Sequence, residues 1–163
     1  MHTSPSTTPH DRDHDHGHDP ARTPVAPAAP ATLSGYTTAY PARDTAPAQA
    51  RHDVAAALAA WGLDQLADTA RLLVSELVTN VVTHTHSRQV TVTVTRATET
   101  TVRITVLDTD RSKPAVPQPA SFQREFGRGL LLVDALADHW AVEYVATGKR
   151  IWCQLSTSTP GTT

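Results

Sequence analysis

Glu76 and Asn80 stand four residues apart in the stretch 70–86, ARLLVSELVTNVVTHTH. On a helix that spacing stacks the two side chains one turn above the other. At about 100° per residue, Ala70, Leu73, Val74, Leu77 and Val81 form the apolar arc that a helix buries against a sheet, with Glu76 and Asn80 on its flank. A carboxylate and a carboxamide at the margin of a core are half-buried, and without partners each costs about 2–7 kcal/mol on transfer scales. A polar partner is therefore expected beside them. Asp108 is a second candidate, the acid in which an apolar strand ends and a long loop begins. Gly127-Arg128-Gly129, directly before the helical run LLLVDALADH, is a third. A helix start exposes free N–H groups and a positive dipole end, and glycine lets the backbone come close to a phosphate. Taken singly, each feature also reads as ordinary structure: two boundary side chains, a turn residue, a lead-in to a helix.

The commonest phosphate-binding designs are absent. There is no G-x-x-x-x-G-K-S/T and no G-x-G-x-x-G after a strand. No nucleophile triad and no cysteine pair for zinc is visible. The segment HDRDHDHGHD sets His10, His14, His16 and His18 among aspartates, donors that suit zinc or nickel. Nothing there fixes a geometry, and a solvated low-complexity tail is the better reading.

The elements that must position these residues can be read in order. Residues 1–33 hold six of the 12 prolines and almost no large apolar side chains, so they form a tail that cannot offset its ordering entropy. From Ser34, Tyr36, Thr38 and Tyr40 alternate with small residues as a strand that Pro41 ends. Asp44 is the expected cap of a first helix, which runs to Ala60 with Val54, Leu58 and Trp61 on one face and Gly62 as its stop. Asp64 is the expected cap of the central helix, which runs to His84. Val90, Val92 and Val94, then Val102, Ile104 and Val106, make an antiparallel hairpin turning at 97–100. A loop over 109–126 with three prolines follows, long enough to be functional. After the helix come a strand over 139–146 and another over 150–156, turning at Thr147-Gly148-Lys149, and then a frayed end at 157–163. This order predicts an α+β two-layer sandwich, a mixed or mostly antiparallel sheet with helices on one face, as a single domain over 34–156.

Composition narrows the function. A net charge of −2 implies no general affinity for nucleic acid or an acidic membrane surface. The lone Cys153 cannot form an internal disulfide, which fits a reducing compartment. No cationic leader precedes an apolar run and no apolar stretch reaches about 18 residues. A cytoplasmic protein is expected.

The ordered set resembles the Bergerat-fold ATP-binding module of gyrase, histidine kinases and the anti-sigma-factor serine kinases. It is most similar to the small bacterial anti-sigma regulatory serine/threonine kinases common in actinomycetes. Glu76-Leu77-Val78-Thr79-Asn80 resembles the N box, Asp108 the aspartate of the first glycine box, Gly127-Arg128-Gly129-Leu130 the second glycine box, and Gly148-Lys149-Arg150-Ile151-Trp152 the closing strand. The resemblance implies ATP and Mg²⁺ as cofactors, with Asn80 as the Mg²⁺ ligand and Glu76 orienting or deprotonating the attacking hydroxyl. Asp108 would accept from the adenine amino group, and Gly127, Arg128, Gly129 and Leu130 would line the phosphates. It also implies two partners, a sigma factor or similar regulator and an anti-anti-sigma-type protein with a target serine; a homodimer stays open. The chain departs from the family in three places. Residues 108–112 read DTDRS where D-x-G-x-G is common; Arg150 stands where the family usually has a threonine that helps hold the adenine-binding aspartate; and where a basic residue often follows the N box this chain has Thr83 and then His84, which is counted among the expected ATP-binding residues. A partner-sequestering module that responds to nucleotide without transferring phosphate is the alternative.

Overall fold

The computed structural model describes residues 34–110 and 130–157. In order they form β1 (Ser34–Pro41), α1 (Ala46–Ala60), a 3₁₀ turn (Asp64–Leu66), α2 (Ala67–His84), β2 (Gln89–Arg96) and β3 (Thr101–Asp108). A helical segment over 130–136, here α3, then leads to β4 (His139–Val145) and β5 (Gly148–Ser156). The five strands make one sheet in the order β1-β2-β3-β5-β4, with every neighbouring pair antiparallel. The result is the expected α+β two-layer fold, its sheet wholly antiparallel among the described residues. The last strand in sequence lies inside the sheet, between β3 and β4.

Period-two alternation sorts the strands into two faces. Val90, Val92 and Val94 of β2, Val102, Ile104 and Val106 of β3, and Ile151, Cys153 and Leu155 of β5 are all buried beneath the helices. The intervening Thr91, Thr93, Thr95, Thr105 and Trp152 are only partly covered. Helix α1 presents Ala46, Ala50, Val54 and Leu58 to the core, an unbroken i, i+4 stripe. Helix α2 contributes Ala70, Leu73, Val74, Leu77, Val78 and Val81. Each large side chain fully withdrawn from water contributes about 1.5–3 kcal/mol, so this packing fixes the height and rotation of α2 on the sheet.

Helix ends are where the structure departs from the sequence reading. Neither Asp44 nor Asp64 caps a helix. The N-cap of α1 is Thr45 and that of α2 is Leu66, both without a side-chain cap bond. Asp64 instead opens the 3₁₀ turn, which takes up the first turn the central helix was expected to have. Gly62 does stop α1, at φ +69°. Its N–H donates to the Ala59 carbonyl, and the N–H of buried Leu63 donates back to the carbonyl of Leu58. Those two bonds and the Leu58–Leu63 pairing are a Schellman stop, which the left-handed glycine permits. The second hairpin turns at residues 146–147, not at 147–149, so β5 starts at Gly148.

Candidate functional site

Helix α2 delivers the acid and the amide together. Glu76 is half-buried and Asn80, one turn on, is buried at 9% exposure. The Asn80 Nδ2 has no hydrogen-bond partner among the described residues. An amide withdrawn from water without a partner costs about 1–3 kcal/mol, so this orphaned donor marks a place where a polar ligand fits. A carboxamide can give a hard oxygen to Mg²⁺ and an N–H to a phosphate oxygen. No cluster of three or more His, Cys, Asp or Glu able to hold a metal is found among the described residues. A Mg²⁺ at Asn80 would thus be held by few protein groups, as suits an ion that keeps waters and phosphates as ligands.

The end of α2 is tied to the end of β3. Thr85 closes the helix, its hydroxyl donating to the Val81 carbonyl at 2.7 Å. The chain then turns extended, and the Ser87 hydroxyl donates to Asp108 Oδ1. The Asp110 N–H donates to the same oxygen at 2.9 Å, an aspartate bonding its own backbone two residues on. The Asp110 carboxylate in turn accepts from the His86 N–H at 3.0 Å. Position 110, a glycine in the common family pattern, therefore has a structural use here: it links the α2–β2 connection to the strand that carries Asp108. Asp108 itself is only 3% exposed and lies on the helix-covered face, in line with Val102, Ile104 and Val106.

The closing strand adds what the sequence reading missed. The register sets Lys149 opposite Asp108, and Lys149 is 5% exposed, on the same face as Ile151 and Cys153. Gly148 makes the approach possible. At φ +145°, a Cβ on it would fall 2.0 Å from the Asp108 carbonyl oxygen. Arg150 lies elsewhere. It is opposite Leu107, on the outer face, where its guanidinium is ion-paired with Glu143 across β4. The hydrogen bond from Arg150 holds the Glu143 carboxyl below the usual carboxylate range. Trp152 joins that outer cluster, with Arg103 4.1 Å above its ring. The residue set opposite Asp108 is therefore Lys149 and not Arg150. Running the Leu155, Cys153, Ile151 alternation back two more residues would have found it; no signal in the sequence singles out Ser87.

Of the other expected residues, two are described. His84 is the exposed last residue of α2, and Leu130 is buried in the hydrophobic core. Gly127, Arg128 and Gly129 lie outside the described residues, as do all of the loop beyond Asp110 and the histidines of the tail. No helix among the described residues is long and apolar enough to cross a membrane.

Residues 40–155 match the family described as the histidine kinase-like ATPase domain. An uncharacterised protein of Streptomyces coelicolor is 35% identical over 82 residues, which cover 49% of this chain and 78% of that relative.

Proposed function

The chain belongs to the histidine kinase-like ATPase domain family, and from that premise we propose that it is an ATP-dependent serine/threonine protein kinase. In this reading it transfers the γ-phosphate to a serine of an anti-anti-sigma-type partner and binds a sigma factor or similar regulator in the cytoplasm. The observation that carries the reading is the orphaned, buried Asn80 amide one helical turn from the half-buried Glu76. A helix that only packed would gain by an apolar residue at position 80.

Mg·ATP, when bound, supplies a γ-phosphoryl group whose charge the metal partly neutralises. The residues of this chain do the rest. Asn80 would hold the metal through Oδ1. Asp108, its Oδ1 fixed by Ser87 and by the Asp110 N–H, accepts from the base amino group. Glu76, open enough to meet a second protein, accepts the proton of the partner's serine hydroxyl. Phosphoryl transfer needs positioning and charge neutralisation more than covalent chemistry, so this short set suffices.

Binding isotherms and single-turnover transfer to a cognate anti-anti-sigma-type protein test the reading. Asn80→Ala should weaken Mg·ATP binding and abolish transfer with it. Glu76→Gln should bind nucleotide as well as the wild type and lose roughly 10²–10⁴ in transfer rate, the worth of a positioned general base. Wild-type transfer by Glu76→Gln would refute the role of Glu76. A wild-type protein that binds ATP and never phosphorylates its partner would be the sequestering module instead.

A further inference from the structure

Strand β1 ends the sheet on one side, and among the described residues no strand pairs beyond it. The Ala42 N–H donates to the Arg88 carbonyl, and Pro41, opposite Gln89, has no N–H to give. Alternation along an antiparallel pair then turns the backbone groups of Gly35, Thr37 and Ala39 away from β2, toward the open edge. Proteins commonly blunt such an edge with charged side chains. The opposite end strand, β4, carries Glu143, whereas β1 reads SGYTTAYP and carries no charge.

Beside this edge, between β1 and α1, lies a cavity of about 580 Å³. Ala39, Tyr40 and Pro41 line it from the strand, and Gln49, His52 and Asp53 from the helix. Asp53 is half-buried, and the Tyr40 hydroxyl donates to its Oδ2 at 2.5 Å. Among the described residues no lysine, arginine or histidine pairs with this carboxylate. The Tyr36 hydroxyl, on the same face of β1, is buried with no hydrogen-bond partner there. Burial, and then Asp53, pushes both phenols above their usual range, so they stay protonated and leave the carboxylate charge in place. A charged carboxylate without a cation, facing a cavity, fits a cationic side chain. Arginine suits it best, with five N–H donors and a stem that packs along a tyrosine ring.

We propose that β1 and α1 form a docking groove for a partner protein, which adds an extended segment to the β1 edge and seats an arginine in the cavity against Asp53. In strand addition of this kind the main-chain ladder gives affinity and the side-chain pocket gives specificity. Two occupants nearer to hand fit less well. A second copy pairing through its own β1 brings no cation, since that strand has none. The chain's own residues 20–33 hold prolines at positions 20, 24, 27 and 30, each lacking the N–H that a ladder needs. The groove uses none of the residues proposed to hold nucleotide.

The test is NMR titration of the full chain at about pH 7.5, where histidine is mostly neutral. The probes are a capped hexapeptide, acetyl-SVTRTS-amide, and its twin with glutamine in place of arginine. The arginine peptide should shift the resonances of Ala39, Gln49, His52 and Asp53. At saturation it should slow exchange of the Thr37 and Ala39 amides by about fivefold or more. It should bind about tenfold tighter than the glutamine peptide. Asp53→Asn keeps the shape, removes the charge, and should bring the two peptides within about twofold of each other. Absence of shifts at millimolar peptide overturns the proposal, as do equal affinities for the two peptides, shifts without slowed Thr37 and Ala39 amides, or an arginine preference that survives Asp53→Asn. Thr37 and Ala39 amides already protected in a self-associated protein overturn it in favour of a second copy. Each of these leaves the nucleotide reading standing. Should Asp53→Asn fail to fold, the wild-type preference for arginine and the two amides decide.

Discussion

Replacing Gly148 by alanine tests the close approach of β5 to Asp108 with one methyl group. The new Cβ would sit 2.0 Å from the Asp108 carbonyl oxygen, 2.9 Å from Thr109 Cα and 3.0 Å from the Asp108 carbonyl carbon. All three are backbone atoms, so no side chain can swing aside, and relief requires β3 and β5 to part by about 1 Å. The backbone at φ +145° is itself strained for any residue with a side chain, by about 1–3 kcal/mol. Parting the strands weakens ladder hydrogen bonds worth about 0.5–1.5 kcal/mol each. Together these give a loss of about 2–4 kcal/mol, and roughly 10 °C in Tm for a domain of this size. Gly62→Ala is the internal control. It has a positive φ but nothing within 4 Å of its Cβ, so it should cost only about 1 kcal/mol. Urea denaturation of both variants measures the difference, and a Mg·ATP isotherm should show at least a tenfold loss for Gly148→Ala alone, because Asp108 moves with its carbonyl. If Gly148→Ala costs no more than Gly62→Ala, the close approach of β5 to Asp108 is refuted.

Other outcomes follow from single groups. Ser87→Ala removes a hydroxyl from a buried carboxylate and should cost about 1.5–3 kcal/mol in stability and several-fold in nucleotide affinity, with Ser87→Thr restoring both; chemical denaturation and calorimetry measure this. Burial pushes the Cys153 thiol up to about 12 from 9.0, so the folded state holds that proton where the unfolded state releases it. Its contribution is full below pH 9 and is lost as pH rises toward 12, by about 1.4 kcal/mol per unit; urea midpoints from pH 8 to 11 should fall in the wild type and fall less in Cys153→Ala. The native thiol should also resist a colorimetric thiol reagent at pH 8 and react once the protein is unfolded. Deleting residues 1–33 should leave ATP affinity within about twofold by calorimetry, since their composition supports no core.

The parts of this fold that the sequence announced are those with strong periodicity. Alternating valines at 90–94 and apolar residues at 102–106 mark the central hairpin, and the arc through Leu73, Leu77 and Val81 marks the face of α2, because burial on one side leaves a repeat of two or of about 3.6. Gly62 was legible because few residues accept φ +69°. The caps were not, since a carboxylate before a helix caps it only if the local backbone turns its oxygen onto a free N–H, and tertiary packing started α1 and α2 at Ala46 and Ala67 instead. The neighbour of Asp108 was misjudged through one displaced turn. Beginning β5 two residues late hid Lys149 in a turn and gave its place to Arg150, which faces outward. The insertion of β5 between β3 and β4 joins segments far apart in sequence, and no local pattern encodes it.

That insertion has a consequence for how the protein is made. On the ribosome, β1, β2 and β3 can pair as soon as they emerge, but the inner edge of β3 stays unpaired until β5 arrives near the end of the chain. Joining Thr101 to Ser156 and Asp108 to Lys149 requires closure of a long loop, so this is the slow, entropically costly step. Until then the nascent chain exposes a valine-rich strand edge that can pair with other chains. The strand opposite Asp108 is β5, so on the proposed reading of Asp108 a chain still in synthesis would offer nucleotide only half a site. Nucleotide would then stabilise the finished sheet and not the early intermediate.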